Sequence, residues 1–568
     1  MTAMANRVVN GDEAFVQGCL DAGVRVVASY PGSPSSGVVE RLAHLAGERG
    51  MHVEWSTNER VAFEVAVGAS IAGARSLAAM KGVGLNVALD PVMVANLCGV
   101  NAGLVILLGD DPGAWASQND QDSRALVAFA ELPLLEPSSL AEGYAMIRDA
   151  FALSERFSLP VVIREVRRYA EYREEVAFPE EPLPTKPISV DIAADRAARR
   201  WIPSTDNAVR LHRLLHEKLE RIALEFGSLC YNAVVGHGVD GVIACGFADR
   251  KARDVLARWS DGRPFRWFRL GTLNPLPKPV LGAFLRSVER VLILEEGEPF
   301  VERHLKAMIQ ELGHPVWIHG KDDGTVAREG ELFGWQIAEA FAAYSPGCLS
   351  TEDYDRDGEL AHLNARRTEG KPPGYLTAAE GLCDGCPYTP TFEALRDVLH
   401  ERGEDAIFLA DPGCGVRLRV APFQMLDVKY SLSSCIGIAT GIARTDATKR
   451  VIAFPGDSAF FHSGITDLIN AAYNRVRVLV LVLDNGTTAL SGFEPHPGVG
   501  LTATGSPARV VGIEDLARAC QIDFVRTVNP RDPEAIRQTF REALAWDDLA
   551  VVVARDPCPF IEFHRPKA

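Results

Sequence analysis

"FPGDSAFFHSGITDLINAAYNRVRVLVLVLDNG", Phe454 to Gly486, decides the fold. The stretch RVIAFPGDS (Arg450–Ser458) predicts a strand ending at Asp457, SGITDLINAAYN a helix, and RVLVLVLDN the next strand. A strand–helix–strand crossover is right-handed in nearly all cases and returns the chain parallel to itself. Asp457 and Asn485 then emerge at the carboxyl ends of nearby strands, where open α/β sheets bind ligands. Gly456 lets backbone approach a phosphate closely, and the helix amino terminus after Ser458 favours negative charge.

A carboxylate, a side-chain amide and a backbone carbonyl just beyond are oxygen donors suited to Mg²⁺ or Ca²⁺. Asn485 follows Asp457 by 28 positions (485 − 457), the layout of the thiamine-diphosphate motif. Read alone, GDS and DNG are equally well a strand-end turn and a tight turn. A thiamine site also requires a partly buried carboxyl group to bond N1′ of the aminopyrimidine. The stretch STNERVAFEVAVGAS offers Glu59 at a helix start, with Glu64 as rival. Phe63, Val67 and Ile71 follow at i, i+4 and i+8 and anchor that helix in a core. An acidic residue at a helix start also simply suits the dipole, so position alone leaves both meanings open.

Working outward, strands alternate with helices from Gly11 to about Arg168: VRVVASY, HVEWS, SLAAMKG, GLVILLG and LPVVIRE. This pattern predicts a parallel sheet covered on both faces. The Pro- and Glu-rich FPEEPLPTKPISV breaks it, and a second α/β segment carries DGVIACG and RVLILEE. The polar stretch Ser350–Gly374 reads as a linker before a third alternating segment. With 568 residues, too many for one core, three doubly wound α/β domains are expected. A balance of 59 basic against 75 acidic residues argues against a nucleic-acid surface. No apolar run approaches membrane-spanning length, the first residues lack a signal-peptide core, and eleven cysteines do not make a disulfide scaffold. A cytoplasmic location is the default expectation.

Several stretches together resemble the 2-oxoacid:ferredoxin oxidoreductases, most closely the large subunit of indolepyruvate:ferredoxin oxidoreductase. They are YPGSPSS (Tyr30–Ser36), NERVAFEVAVGASIAGARS, MKGVGLN, GDDPGAWASQNDQDSR, LEEGEPFVE, LCDGCPYTPTF, DPGCG, GDSAFFHSG and DNGTTALSGFEPHPG, in family order along nearly the whole chain. The resemblance implies a pyrimidine-binding domain (1–185), a transketolase C-terminal-like domain (186–348) and a diphosphate-binding domain (349–568). It implies Glu59 as the N1′ carboxylate, nine residues before Gly68. Asp457, Asn485 and the Thr487 carbonyl become Mg²⁺ ligands, with Gly456, Ser458 and His462 beside the cofactor. Ser33 and Arg124 are implied to receive the substrate carboxylate, Arg124 as a bidentate guanidinium. Lys81, like His462, is implied to border the cofactor, and Gly32 leaves room for a bulky 2-oxoacid.

CDGC, Cys383–Cys386, can be read as a redox or zinc pair, with Cys414 as a third thiol. The resemblance instead places Cys383, Gly385 and Cys386 beside the thiamine phosphates without a metal. Cys558 reads as solitary, and no four cysteines show ferredoxin-type spacing. The expectation is therefore no iron–sulfur cluster in this chain, with the ferredoxin-like segment of the family missing after Ala568. Decarboxylation of a 2-oxoacid follows from the resemblance, with three outcomes open. These are oxidation to an acyl group passed to coenzyme A, with electrons leaving through a separate small subunit, release of an aldehyde, or attack on a second carbonyl. A homodimer, a separate small subunit, or both are expected, and Glu59 should converge with Asp457. A non-catalytic scaffold subunit is disfavoured by the presence of Glu59, Asp457 and Asn485.

Overall fold

The six-stranded sheet around the quoted stretch is parallel throughout. Its order is Val428–Lys429, Ala406–Ala410, Arg450–Phe454, Leu479–Asp484, Ala550–Arg555, Phe524–Val528. Alternate residues of each strand serve two separate cores. Ile452, Leu481 and Val552 face one, while Val451, Val480 and Val551 face the other. Period-two alternation with both sides apolar is what a doubly wound sheet requires. From Ala406–Ala410 the chain crosses to one side of the sheet, and from Arg450–Phe454 to the other. The order therefore reverses between these two strands, which opens a crevice at their carboxyl ends.

The computed structural model describes residues 4–179, 190, 192–197, 200–259, 264–349, 355–368, 372–377, 380–445 and 449–564. The chain divides into two compact units, Met1–Glu54 with Glu59–Leu360, and Trp55–Asn58 with Ala361–Ala568. The first unit holds a seven-stranded and a five-stranded sheet, plus a two-stranded ribbon pairing Met4–Val9 with Glu174–Pro179. The seven-stranded sheet contains the five strands expected from the sequence, His52–Trp55, Val26–Ser29, Ser76–Lys81, Leu104–Asp110 and Val161–Val166, followed by Leu134–Leu135. Its last member, Thr272–Asn274, pairs antiparallel with Leu134–Leu135 and comes from the segment that builds the five-stranded sheet. One apolar core runs continuously through both sheets, with Ile106 and Leu134 in the first and Ile243 and Ile293 in the second.

Two expectations need correction. The stretch read as a linker contains the helix Arg356–Thr368, whose Leu363 is buried; residues 350–354 and 369–371 lie outside the described residues. In FPEEPLPTKPISV, Phe178 is a buried strand residue facing Ala5, and residues 180–189 lie outside the described residues. No helix among the described residues is long and apolar enough to cross a membrane.

Candidate active site

In the second unit the strand Arg450–Phe454 stops at Pro455, and Asp457 opens a helical turn, Asp457–Ala459. A π-helical turn, Phe460–Gly464, follows, and then the helix Ile465–Tyr473. Asp457 is therefore the first residue of a helix and not the last of a strand. π-Turns concentrate at functional positions because the extra residue redirects side chains. Here it buries His462, whose Nδ1 lies 2.9 Å from Ser463 Oγ and 3.3 Å from Ser433 Oγ.

Asp457, Asn485 and Thr487 are buried together. Asp457 Oδ1 accepts the Ser458 N–H at 2.8 Å, while Oδ2 accepts the N–H groups of Asn485 and Gly486 at 3.1 and 2.8 Å. The Asn485 amide donates to Tyr388 Oη at 2.9 Å, and its Oδ1 accepts the Thr487 N–H at 3.2 Å. Tyr388 in turn donates to the Leu483 carbonyl. These bonds fix the carboxylate and the amide oxygen as a set of hard oxygen donors, the kind Mg²⁺ takes. A Cβ built on Gly456 would meet no atom within 4 Å, so the turn borders open space of the kind a phosphate needs.

Sequence reasoning gave no role to His496, in FEPHPG, or to Tyr388, in CPYTP. His496 Nε2 lies 3.0 Å from Asp457 Oδ2. Burial alone would push the Asp457 carboxyl up, but His496 and the surrounding N–H donors hold it below the usual carboxylate range. Burial pulls the imidazole down and Asp457 outweighs it, so His496 titrates above its ordinary value. Only a His placed by the fold against Asp457 could be recognised this way, because 39 positions (496 − 457) separate them.

Four thiols meet in the same unit. Cys383, Cys386, Cys414 and Cys558 line one cavity together with Arg417 and Asn485. Gly385, at φ +72°, closes the CDGC turn, and Arg417 Nη1 donates to the Cys383 sulfur at 3.2 Å. Burial pushes the Cys386 and Cys414 thiols up to about 12, and Cys558 is raised as well. Cys558, read from spacing as solitary, thus lines a cavity with three other cysteines. Four cysteines at unequal spacings are assembled by the fold, which linear spacing cannot reveal. No three of these sulfurs lie mutually within 4.8 Å. Mononuclear zinc needs sulfurs about 3.8 Å apart, from Zn–S bonds of about 2.3 Å.

In the first unit Glu59 is buried at the start of the helix Glu59–Ile71, whereas Glu64 is exposed and faces Arg60 at 3.6 Å. The buried face of that helix runs through Glu59, Ala62, Phe63, Ala66 and Ser70, with Val67 partly buried against the core. Glu59 packs over Gly84 of MKGVGLN: a Cβ there would sit 2.6 Å from Glu59 Cγ. Lys81, at the carboxyl end of its strand, donates to the Ala116 carbonyl at 2.6 Å and lies 4.0 Å from Asp111. Burial pulls its ammonium down to about 8, against the pull of Asp111. Ser33 is exposed on the neighbouring loop. The room expected at Gly32 is taken by the Lys81 stem, 3.0 Å from where a Cβ would stand.

Arg124 does not fit the role the resemblance implies. It is fully buried, and its guanidinium is bonded to Asp122, to Glu295 at 2.7 Å, and to the carbonyls of Glu296 and Glu298. Beside it Arg164 binds Asp110 and Glu136. Glu295 and Glu296 follow a strand of the five-stranded sheet, so Arg124 ties that sheet to the seven-stranded one. A guanidinium so buried and so engaged with its own carboxylates and carbonyls is not presented to a substrate carboxylate.

Two family models match the chain. One is described as "Pyruvate flavodoxin/ferredoxin oxidoreductase, thiamine diP-bdg" and covers residues 17–200. The other, "Thiamine pyrophosphate enzyme, C-terminal TPP binding domain", covers residues 422–554. With the parallel sheets and the Asp457–Asn485 constellation, these define a thiamine-diphosphate-dependent 2-oxoacid oxidoreductase. The chain is 37% identical to the indolepyruvate oxidoreductase subunit IorA of Pyrococcus abyssi over 96% of its own length and 85% of that protein. It is 36% identical to the IorA subunit of Archaeoglobus fulgidus over 97% and 86%. A more distant relative is the 2-oxoglutarate synthase subunit KorA of Archaeoglobus fulgidus, 26% identical over 51% of this chain and 88% of that one. The chain belongs to the family of indolepyruvate oxidoreductase IorA subunits.

Proposed function

We propose that this chain decarboxylates an aryl-pyruvate such as indolepyruvate oxidatively, transferring the acyl group to coenzyme A and passing two electrons to a partner. The substrate class rests on the names of its relatives, which are also named as subunits. Asp457, Asn485 and the Thr487 carbonyl would hold Mg²⁺, with Gly456, Ser458 and His462 lining the diphosphate. Glu59, buried at the start of its helix, would be the carboxyl for N1′ of the aminopyrimidine. Thiamine diphosphate, when bound, would supply the nucleophilic carbon and the electron sink. Lys81 supplies the cation for the substrate carboxylate, beside Ser33; an ammonium has three donors, and Ala116 takes one.

The observation that carries the oxidative outcome is the four-thiol cavity, which shares Asn485 with the metal constellation. Cys383, Cys386, Cys414 and Cys558 would hold an iron–sulfur cluster, a one-electron acceptor beside the cofactor. The test is anaerobic reconstitution with iron, sulfide, thiamine diphosphate and Mg²⁺, then indolepyruvate with and without coenzyme A and a viologen dye. Expected are cluster absorbance and dye reduction dependent on coenzyme A, both lost in Cys558→Ser, with a small subunit raising turnover. Sustained aldehyde release without acceptor, unchanged in Cys558→Ser, would mean a non-oxidative decarboxylase instead.

A further inference from the structure

Glu131 occupies a position that local physics disfavours. It follows the short helix Arg124–Phe129 and its cap Ala130, and its backbone is left-handed at φ +54°. That is the post-helix position where glycine is the usual residue, because any Cβ adds strain. A carboxylate there also faces the negative end of the helix dipole. Something must compensate a residue that breaks two local rules at once.

The partners are two histidines of HRLLH, one helical turn apart on the helix Ala208–Phe226. His212 Nε2 lies 2.6 Å from Glu131 Oε2, and His216 Nε2 lies 2.8 Å from Glu131 Oε1. The imidazole rings are 4.3 Å apart, and the three ligand atoms lie within 4.8 Å of one another. Among the described residues no other group of three such side chains meets that criterion. Histidines at i and i+4 present both nitrogens on one face, the spacing a helix uses to grip a metal.

We infer that Glu131, His212 and His216 form a binding site for a divalent transition metal of the zinc type, separate from the catalytic centre. Two imidazoles and one carboxylate favour Zn²⁺, Co²⁺ or Ni²⁺ over Mg²⁺ or Ca²⁺, which take oxygen ligands. With bonds of about 2.0–2.2 Å, tetrahedral ligands stand roughly 3.4 Å apart, so the two pairs must open by roughly 0.6–0.8 Å. Both histidines are exposed, so their rotamers can adjust and water can complete the shell. The metal would clip this helix to the turn leading into Leu134–Leu135 of the seven-stranded sheet. Below the site the helix already seats Leu215, Ile222 and Phe226, and Lys218 donates to the Ser158 carbonyl at 3.1 Å.

The probe is Co²⁺ titrated into the tag-free full chain, because cobalt bound by nitrogen and oxygen lacks the near-ultraviolet band of a cobalt thiolate. One equivalent with visible bands and no thiolate band is expected. It should be lost in His216→Ala, weakened at least tenfold in Glu131→Gln, and retained in Cys383→Ser. A rise in thermal midpoint with Zn²⁺ should likewise disappear in His212→Ala. Superimposable cobalt titrations of the wild type, His216→Ala and Glu131→Gln would overturn the assignment and leave ordinary histidine–carboxylate hydrogen bonds.

Discussion

Asn58 donates its side-chain amide to the carbonyl of His462 at 2.8 Å, across 404 positions of the chain. Asn58 belongs to the short segment Trp55–Asn58 that packs with the second unit, and Glu59 is the next residue. The bond terminates on the π-turn that follows Asp457. Asn58→Asp keeps the size but turns the donor into an acceptor facing a carbonyl. It should cost about 1–3 kcal/mol in unfolding free energy, the range for a buried polar group left unsatisfied. Thiamine diphosphate affinity, measured by calorimetry, should fall in parallel. Unchanged affinity with unchanged stability would mean that this bond positions nothing.

Gly84 and Glu59 give a sharper test. The helix position at Gly84 has ordinary backbone angles, so alanine is unstrained there, but its Cβ would stand 2.6 Å from Glu59 Cγ. Glu59 must rotate away, and a misplacement of about 1 Å can cost roughly 100-fold in rate. Gly84→Ala should therefore fold, bind Mg²⁺ and diphosphate, and lose about two orders of magnitude in kcat. Gly68→Ala is the control: nothing lies within 4 Å of its Cβ, and alanine in a helix gains about 0.5–1 kcal/mol. Equal activity in the two variants would remove Glu59 from the proposed chemistry.

The elements legible in the sequence were those with a long apolar signal. Leu479–Asp484, Leu104–Asp110 and Arg290–Leu294 are buried strands, each a near-continuous apolar run that can be read without neighbours. Thr272–Asn274 was not legible, since three residues carry no period and its partner lies in another segment. The helix Arg356–Thr368 was hidden by its polarity. In the candidate site, Asp457 and Asn485 could be paired from the sequence because one crossover places both. Cys558 and His496 gain meaning only from long-range folding that spacing does not encode. Arg124 misled because a lone cation in a loop reads as available, while its partners Glu295, Glu296 and Glu298 lie far along the chain.

The burial of Arg124 makes a claim about stability. Arg124→Met leaves Asp122 and Glu295 as buried carboxylates without their principal cation. Breaking a buried pair from one side costs about 3–5 kcal/mol. A large fall in denaturation midpoint is expected, with KM for the 2-oxoacid little changed in whatever fraction stays folded. A stable variant with KM raised tenfold or more would restore Arg124 as the substrate cation.

Lys81 predicts a pH dependence whose sign is fixed by its surroundings. Asp111 and Asp110 favour its ammonium, Arg167 opposes it, and burial outweighs them all, bringing the group from 10.5 down to about 8. Between about pH 8 and 10.5 the unfolded chain therefore binds the extra proton, and this residue's contribution to unfolding free energy rises with pH across that window. Substrate binding should run the other way. If the ammonium meets the carboxylate, KM is flat below about pH 8 and then climbs roughly tenfold per pH unit as the proton is lost. Lys81→Met should show a high KM that no longer changes over this range, together with the loss of the alkaline stability increment. Steady-state kinetics from pH 6.5 to 9.5 on both proteins decide it. A wild-type KM that stays level through pH 9.5 would show that the carboxylate is held elsewhere, whatever the stability curve does.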